Sequence, residues 1–262
     1  MSSAPDGLEP ADGADVAAGA ALQPHRLAAA GGEPTWGLGD VAGTLLATLL
    51  LGSFVALAVV AVAAPGGRGA GQAWGTIALL VVPWAALGGW PLVASWTKGN
   101  GPRRDYGLTL TWASAAIGVA GGAAGLAVAL VVATVQQAVT GSTLRSAVEV
   151  IAQDTTAASA AAVAVLAACT AFGAPIVEEL AFRGLTYGAL LKRGVSPRWS
   201  VVAVTVLFAL FHFEPARILV LLVLGASLGL VRRYTGSTAA SMVAHMTINI
   251  PGALAILSLA RH

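Results

Sequence analysis

Three short stretches place ionisable or amide side chains inside otherwise apolar sequence. APIVEELAFRG (174–184) holds Glu178, Glu179 and Arg183, FALFHFE (208–214) holds His212, and HMTIN (245–249) holds His245 and Asn249. Glu179 and Arg183 are one helical turn apart and form an internal ion pair; Glu178 points about 100° away and has no basic residue at i+4. Adjacent carboxylates disfavour each other's charge, so one of them can hold or accept a proton near neutral pH. His245 and Asn249 also stand four apart on one helix face. The chemistry open to this set is narrow. A carboxylate and a histidine can deprotonate a water. A second histidine and an amide can donate to an oxyanion. Together they suit hydrolysis of a carbonyl compound such as a peptide bond. Histidine and glutamate also ligate zinc, which leaves a metal site as the alternative. Ser159, Ser227, Ser237 and Ser241 lack a surrounding nucleophile-and-base pattern, and Cys169, within an apolar run, reads as a packing residue.

The elements that must carry these residues follow from composition. The 262-residue chain is 57% hydrophobic and 10% charged, with 32 glycines, and its mean hydropathy is +0.81. A soluble domain is about 25% charged, so the main body is neither a cytosolic enzyme nor a nucleic-acid binder. Long apolar runs without period-two alternation exclude a β-barrel. The expected fold is all-α, a polytopic transmembrane helix bundle of about seven spans. Residues 1–39, rich in Ala, Gly, Pro and Asp, read as a disordered tail, and 40–262 as the membrane-embedded helical domain. Apolar segments lie near 41–63, 74–96, 112–138, 157–191, 199–213, 216–231 and 238–260. The fourth is too long for a simple crossing, and Gly173 and Pro175 predict a kink or break in it. The fifth and sixth are short, near 15 residues.

Charge sets the orientation. Lys98, Arg103 and Arg104, then Lys192, Arg193 and Arg198, then Arg232 and Arg233 fall on one side of a seven-span chain. The other side holds Arg68, Arg145 with Glu149 and Asp154, and Glu214 with Arg217. The positive-inside rule puts the first set, and the N-terminus, in the cytoplasm of a multi-pass cell-membrane protein. Trp74, Trp96, Trp112 and Trp199 sit near proposed span ends, as interfacial tryptophans do. Glu179, His212 and His245 lie 13, 14 and 12 positions from Lys192, Arg198 and Arg233. At 1.5 Å per residue, all three are roughly 18–21 Å from that edge. Three spans thus place polar groups in one layer, which argues for a single shared site. A hydrogen-bonded network that only fixes the bundle would use the same residue types. A proton-coupled transporter would need a polar path to both faces.

These three motifs resemble the CAAX protease and bacteriocin-processing (CPBP, or Abi) family of intramembrane proteases, whose pattern is E-E-x-x-x-R, F-x-x-x-H and H-x-x-x-N. Here they run Glu178-Glu179 to Arg183, Phe208 to His212, and His245 to Asn249, in the family's order and spacing. The resemblance covers 157–260, with a weaker likeness at Arg103 to Leu108. The family is similar to the eukaryotic type II CAAX prenyl endopeptidase. The resemblance implies that Glu178 and His212 activate water, that His245 and Asn249 form the oxyanion hole, and that Glu179 and Arg183 hold the site in shape. It implies no cofactor, a peptide or membrane-protein substrate in the lipid bilayer, and no nucleic-acid partner. A non-catalytic scaffold or immunity protein is the alternative within the family.

Overall fold

The computed structural model describes residues 32–62, 70–144 and 160–259, and Pro34–His262 form one compact unit. Among the described residues there is helix and loop but no strand. Helix α1 is Leu38–Val62. Helix α2 is assembled from Ala70–Val81, Trp84–Leu87 and Gly89–Lys98, interrupted at Pro83 and Gly88. Helix α3 is Trp112–Thr140. Helix α4 runs from Ala160 to Lys192, α5 is Pro197–Phe211, α6 is Ile218–Thr235 and α7 is Thr238–Leu259. Six of these elements are long and apolar enough to cross a membrane, and α5 is the shorter one. Side chains such as Leu50, Phe54 and Val60 on α1, and Val131 and Val139 on α3, are exposed. Such surfaces are stable only where lipid is the solvent. The chain is a multi-pass membrane protein.

Local chemistry explains the limits. Thr111 and Ser114 form a reciprocal capping box that starts α3. The sixth span is longer than its apolar core suggested. Pro215–Thr235 spans 21 residues, because α6 continues through Arg232 and Arg233 until Gly236, at φ +66°, turns the chain and donates to the Arg232 carbonyl at 3.0 Å. In α4 the expected break at Gly173 and Pro175 does not occur. The backbone stays helical but widens into two π segments, Cys169–Gly173 and Leu180–Thr186, either side of Ala174–Glu179. Helix α5 ends at Phe211, His212 caps it, and Phe213 takes a left-handed φ of 54°.

One end of the bundle is tied together by the segment before α1, the ends of α2 and α4, the α2–α3 connection and the start of α7. The Thr35 N–H donates to the Lys98 carbonyl at 2.6 Å, and the Trp36 indole to Asp105 at 2.8 Å. Lys192 Nζ donates to the carbonyls of Pro34 and Trp36, each at 2.5 Å. Thr238 N–H donates to the Gly107 carbonyl at 3.0 Å. The basic residues at the ends of α2, α4 and α6 therefore mark a common edge. Trp96, Trp112 and Trp199 are exposed at this edge; Trp74, in the first turns of α2, is at the opposite end of that helix. Residues 1–31 of the proposed tail lie outside the described residues, as do Arg68, Arg145, Glu149 and Asp154. Trp36, by contrast, is buried in the folded body.

Candidate active site

Helix α7 meets α4 along a ladder of polar side chains. Thr238 Oγ1 lies 3.3 Å from the Arg183 carbonyl, Ser241 Oγ donates to Glu179 Oε2 at 2.6 Å, His245 Nδ1 lies 3.0 Å from Glu179 Oε1, and Asn249 Nδ2 donates to the Thr170 carbonyl at 2.9 Å. Positions 238, 241, 245 and 249 recur every three to four residues, so one face of α7 presents them all. The Glu179–Arg183 pair expected from the spacing is present: Arg183 Nη1 donates to Glu179 Oε1 at 2.8 Å, and both side chains are 0% exposed. Arg183 Nη2 donates to the Gly225 carbonyl on α6 at 2.9 Å. Arg232 Nε donates to the Arg183 carbonyl at 3.1 Å, which anchors the second π segment to the basic end of α6.

Glu178 faces two imidazoles. Its Oε2 is 3.9 Å from His212 Nε2 and 3.9 Å from His245 Nε2, and this buried oxygen has no hydrogen-bond partner. The tautomers follow from the opposite nitrogens. His212 Nδ1 is 2.7 Å from the Phe208 carbonyl, which can only accept, so Nδ1 carries the proton and Nε2 keeps its lone pair in the neutral ring. His245 Nδ1 faces the carboxylate of Glu179, which also only accepts when ionised. The two Nε2 atoms thus converge on one carboxylate oxygen.

Phe208 explains the F-x-x-x-H spacing physically. Its carbonyl holds His212 one turn on. Its ring lies 4.5 Å from the His212 ring and 6.0 Å from that of His245, and the Arg183 guanidinium sits 4.5 Å over it. A mainly apolar cleft of about 590 Å³ ends at Glu178 and His212. Its walls include Gly52 and Ala56 of α1, Leu80 and Trp84 of α2, Phe182, and Phe213 beyond α5.

The structure thus brings Glu178, Glu179, Arg183, His212 and His245 together. Asn249 joins the same ladder, with one N–H of its amide committed to Thr170 and a second remaining on Nδ2. Ser241, set aside in the sequence as a nucleophile, joins the site as a hydrogen-bond donor to Glu179. The signal for it was its position four residues before His245, on the face that carries the site. Glu178, His212 and His245 hold the donor atoms a metal would need, yet among the described residues no group of three His, Cys, Asp or Glu is arranged to hold a metal ion.

Comparison with known families decides the affiliation of this region. Residues 160–251 match the family model described as type II CAAX prenyl endopeptidase Rce1-like. This stretch of the chain is similar to the Rce1-like CAAX endopeptidase family. The matched residues run from the start of α4 to within α7 and contain every member of the polar cluster. The matched family is described as one of endopeptidases, and the buried Glu/His network of this chain is consistent with an intramembrane hydrolytic site. No curated protein and no solved structure matches the chain.

Proposed function

We propose that the protein is an intramembrane endopeptidase that hydrolyses a peptide bond with a water activated by Glu178 and His212. The observation that carries this reading is the 3.9 Å separation of Glu178 Oε2 and His212 Nε2. It is too long for a direct hydrogen bond, and a single water about 2.8 Å from each atom spans it. The Phe208 carbonyl leaves Nε2 as the basic nitrogen on that side. Water oxygen attacks the substrate carbonyl carbon while its proton passes to the Glu178–His212 pair. That proton then goes to the leaving amine as the C–N bond breaks.

His245 takes the oxyanion in this scheme, with a condition that its hydrogen bond imposes. Its Nδ1–H points at Glu179, so Nε2 donates only when the ring is an imidazolium. Glu179, held beside Arg183, is the counter-charge for that cation. The second N–H of Asn249 is the other donor. The groups that face one another across the site are Glu178, Glu179, Arg183, His212 and His245. In this scheme His212 is the base and His245 the cationic donor.

The apolar cleft favours a substrate with apolar side chains around the scissile bond, presented by a membrane-embedded or membrane-bound protein. The basic, tryptophan-bearing end is assigned to the cytoplasm, and with it the N-terminus. The scheme uses no metal. The test is incubation of the purified full chain with a membrane-peptide library. Wild type should cleave at discrete sites, and Glu178→Gln should not, at unchanged melting temperature. Near wild-type cleavage by Glu178→Gln would sink the scheme. Stoichiometric zinc, lost together with activity on chelation, would replace it with a metal-based one.

A further inference from the structure

Arg183 holds Glu179 at one point only. Nη1 reaches Oε1, while Nη2 is committed to the Gly225 carbonyl and Nε has no partner. A bidentate guanidinium would fix the plane of a carboxylate; this single contact leaves the group free to turn about its last bond. The second point of attachment is Ser241, on α7. Its buried hydroxyl lies 2.6 Å from Glu179 Oε2 and 3.0 Å from the Leu228 carbonyl. A hydroxyl has one proton and both neighbours accept. The nearer and charged acceptor takes it, because charge-assisted bonds are the shorter and stronger ones. With Oε2 pinned, Oε1 is left in place to meet both Arg183 and His245 Nδ1.

We infer that Ser241 is a positioning residue: by fixing the plane of the Glu179 carboxylate it sets the tautomer and ring orientation of His245. The neutral ring then carries its proton on Nδ1 and turns Nε2 toward Glu178, 3.9 Å away. Ser241 touches neither Glu178 nor the cleft, so it acts through Glu179 and not on a substrate. In metal sites, where a carboxylate orients a ligating histidine in the same way, loss of such outer contacts costs about 10–100-fold in metal affinity or activity.

The tautomer can be read directly. The chain has four histidines, His25, His212, His245 and His262. The ring nitrogens of His245 are assigned by ¹⁵N NMR of the full chain in lipid nanodiscs, using His245→Gln. At a pH where the ring is neutral, wild type should hold the proton on Nδ1. Ser241→Ala, which removes little more than one oxygen, should move a measurable fraction to Nε2, and Ser241→Thr should restore the wild-type signal. A Ser241→Ala protein with the wild-type tautomer overturns the inference. So does a Ser241→Thr protein that shifts as Ser241→Ala does, since the hydroxyl is then not the cause. A wild-type chain that cleaves nothing removes the peptidase reading alone, because the NMR measurement needs no turnover.

Discussion

Helix α7 is glued to its neighbours in two different ways. Toward α4 it presents Thr238, Ser241, His245 and Asn249, each bonded to a polar atom of the opposite helix. Toward α3 the contact is bare backbone. A Cβ on Gly118 would stand 2.6 Å from the Ala240 carbonyl oxygen, and one on Gly122 would collide with the Ala244 carbonyl. Lipid tails are as apolar as the helices, so burying apolar surface gives no net drive to associate; close packing and interhelical hydrogen bonds take over. The two seams separate these two solutions. The glycine seam brings backbones together and leaves no functional group over. The polar seam is bridged by side chains, and these include ones with the chemistry to act on a substrate. In this bundle the proposed chemistry sits where adhesion is polar.

Breaking each seam should therefore produce a different kind of loss. Arg183→Ala has the largest expected effect. It strands Glu179 as an unpaired buried carboxylate and should destabilise the protein by about 3–5 kcal/mol. Melting temperature and peptide cleavage should fall together; loss of cleavage at a wild-type melting temperature would give Arg183 a direct chemical role instead. Asn249→Ala comes next. Loss of one of two oxyanion donors lowers the rate by roughly 10²–10³, so slow cleavage should persist in folded protein. If the variant fails only by unfolding, its bond to Thr170 is the whole of its role. Gly122→Val, on the other seam, should have the smallest effect on the chemistry. Its side chain meets the Ala244 backbone, which cannot turn aside, so the cost in stability is at least the roughly 1–3 kcal/mol of ordinary overpacking. Thermal melts should show the loss, while kcat of the folded fraction stays at the wild-type value. A drop in kcat as large as that of Asn249→Ala would mean that the two seams are not independent.

The polar seam was partly legible in the chain. Glu179 and Arg183 are four apart on one helix, and their pairing needs nothing but helical geometry. The common layer of Glu179, His212 and His245 was readable because basic residues mark one edge of the bundle and helical rise is constant. What could not be read is azimuth, meaning which residue of one helix faces which residue of another. For that reason the His245–Glu179 contact and the third arm from Ser241 appear only in three dimensions. A serine in a membrane helix is as often bonded to its own backbone as across an interface, so its type alone carries no sign of its partner. The π segments were also invisible, since Leu180–Thr186 has the same apolar composition as any α-helical turn. Proline at 175 drew the expectation to a break. In fact Pro175 lies just after the first π segment, and the helical backbone runs on through it.

Those two wide turns make α4 a phased element. A π turn is an α-helix with one residue inserted, and each residue of an α-helix turns the chain by about 100°. The segment Leu180–Thr186 lies between the carboxylates and the basic edge, and Cys169–Gly173 lies on their other side. Losing one residue from the first would swing Glu178 and Glu179 about a quarter-turn around the helix axis relative to Lys192 while leaving the membrane span long enough. Losing one from the second would do the same to everything before Thr170. The length of α4 is therefore read in single residues, like the pitch of a screw thread, and its tolerance for insertion or deletion is set by the angle at which two carboxylates must meet α7.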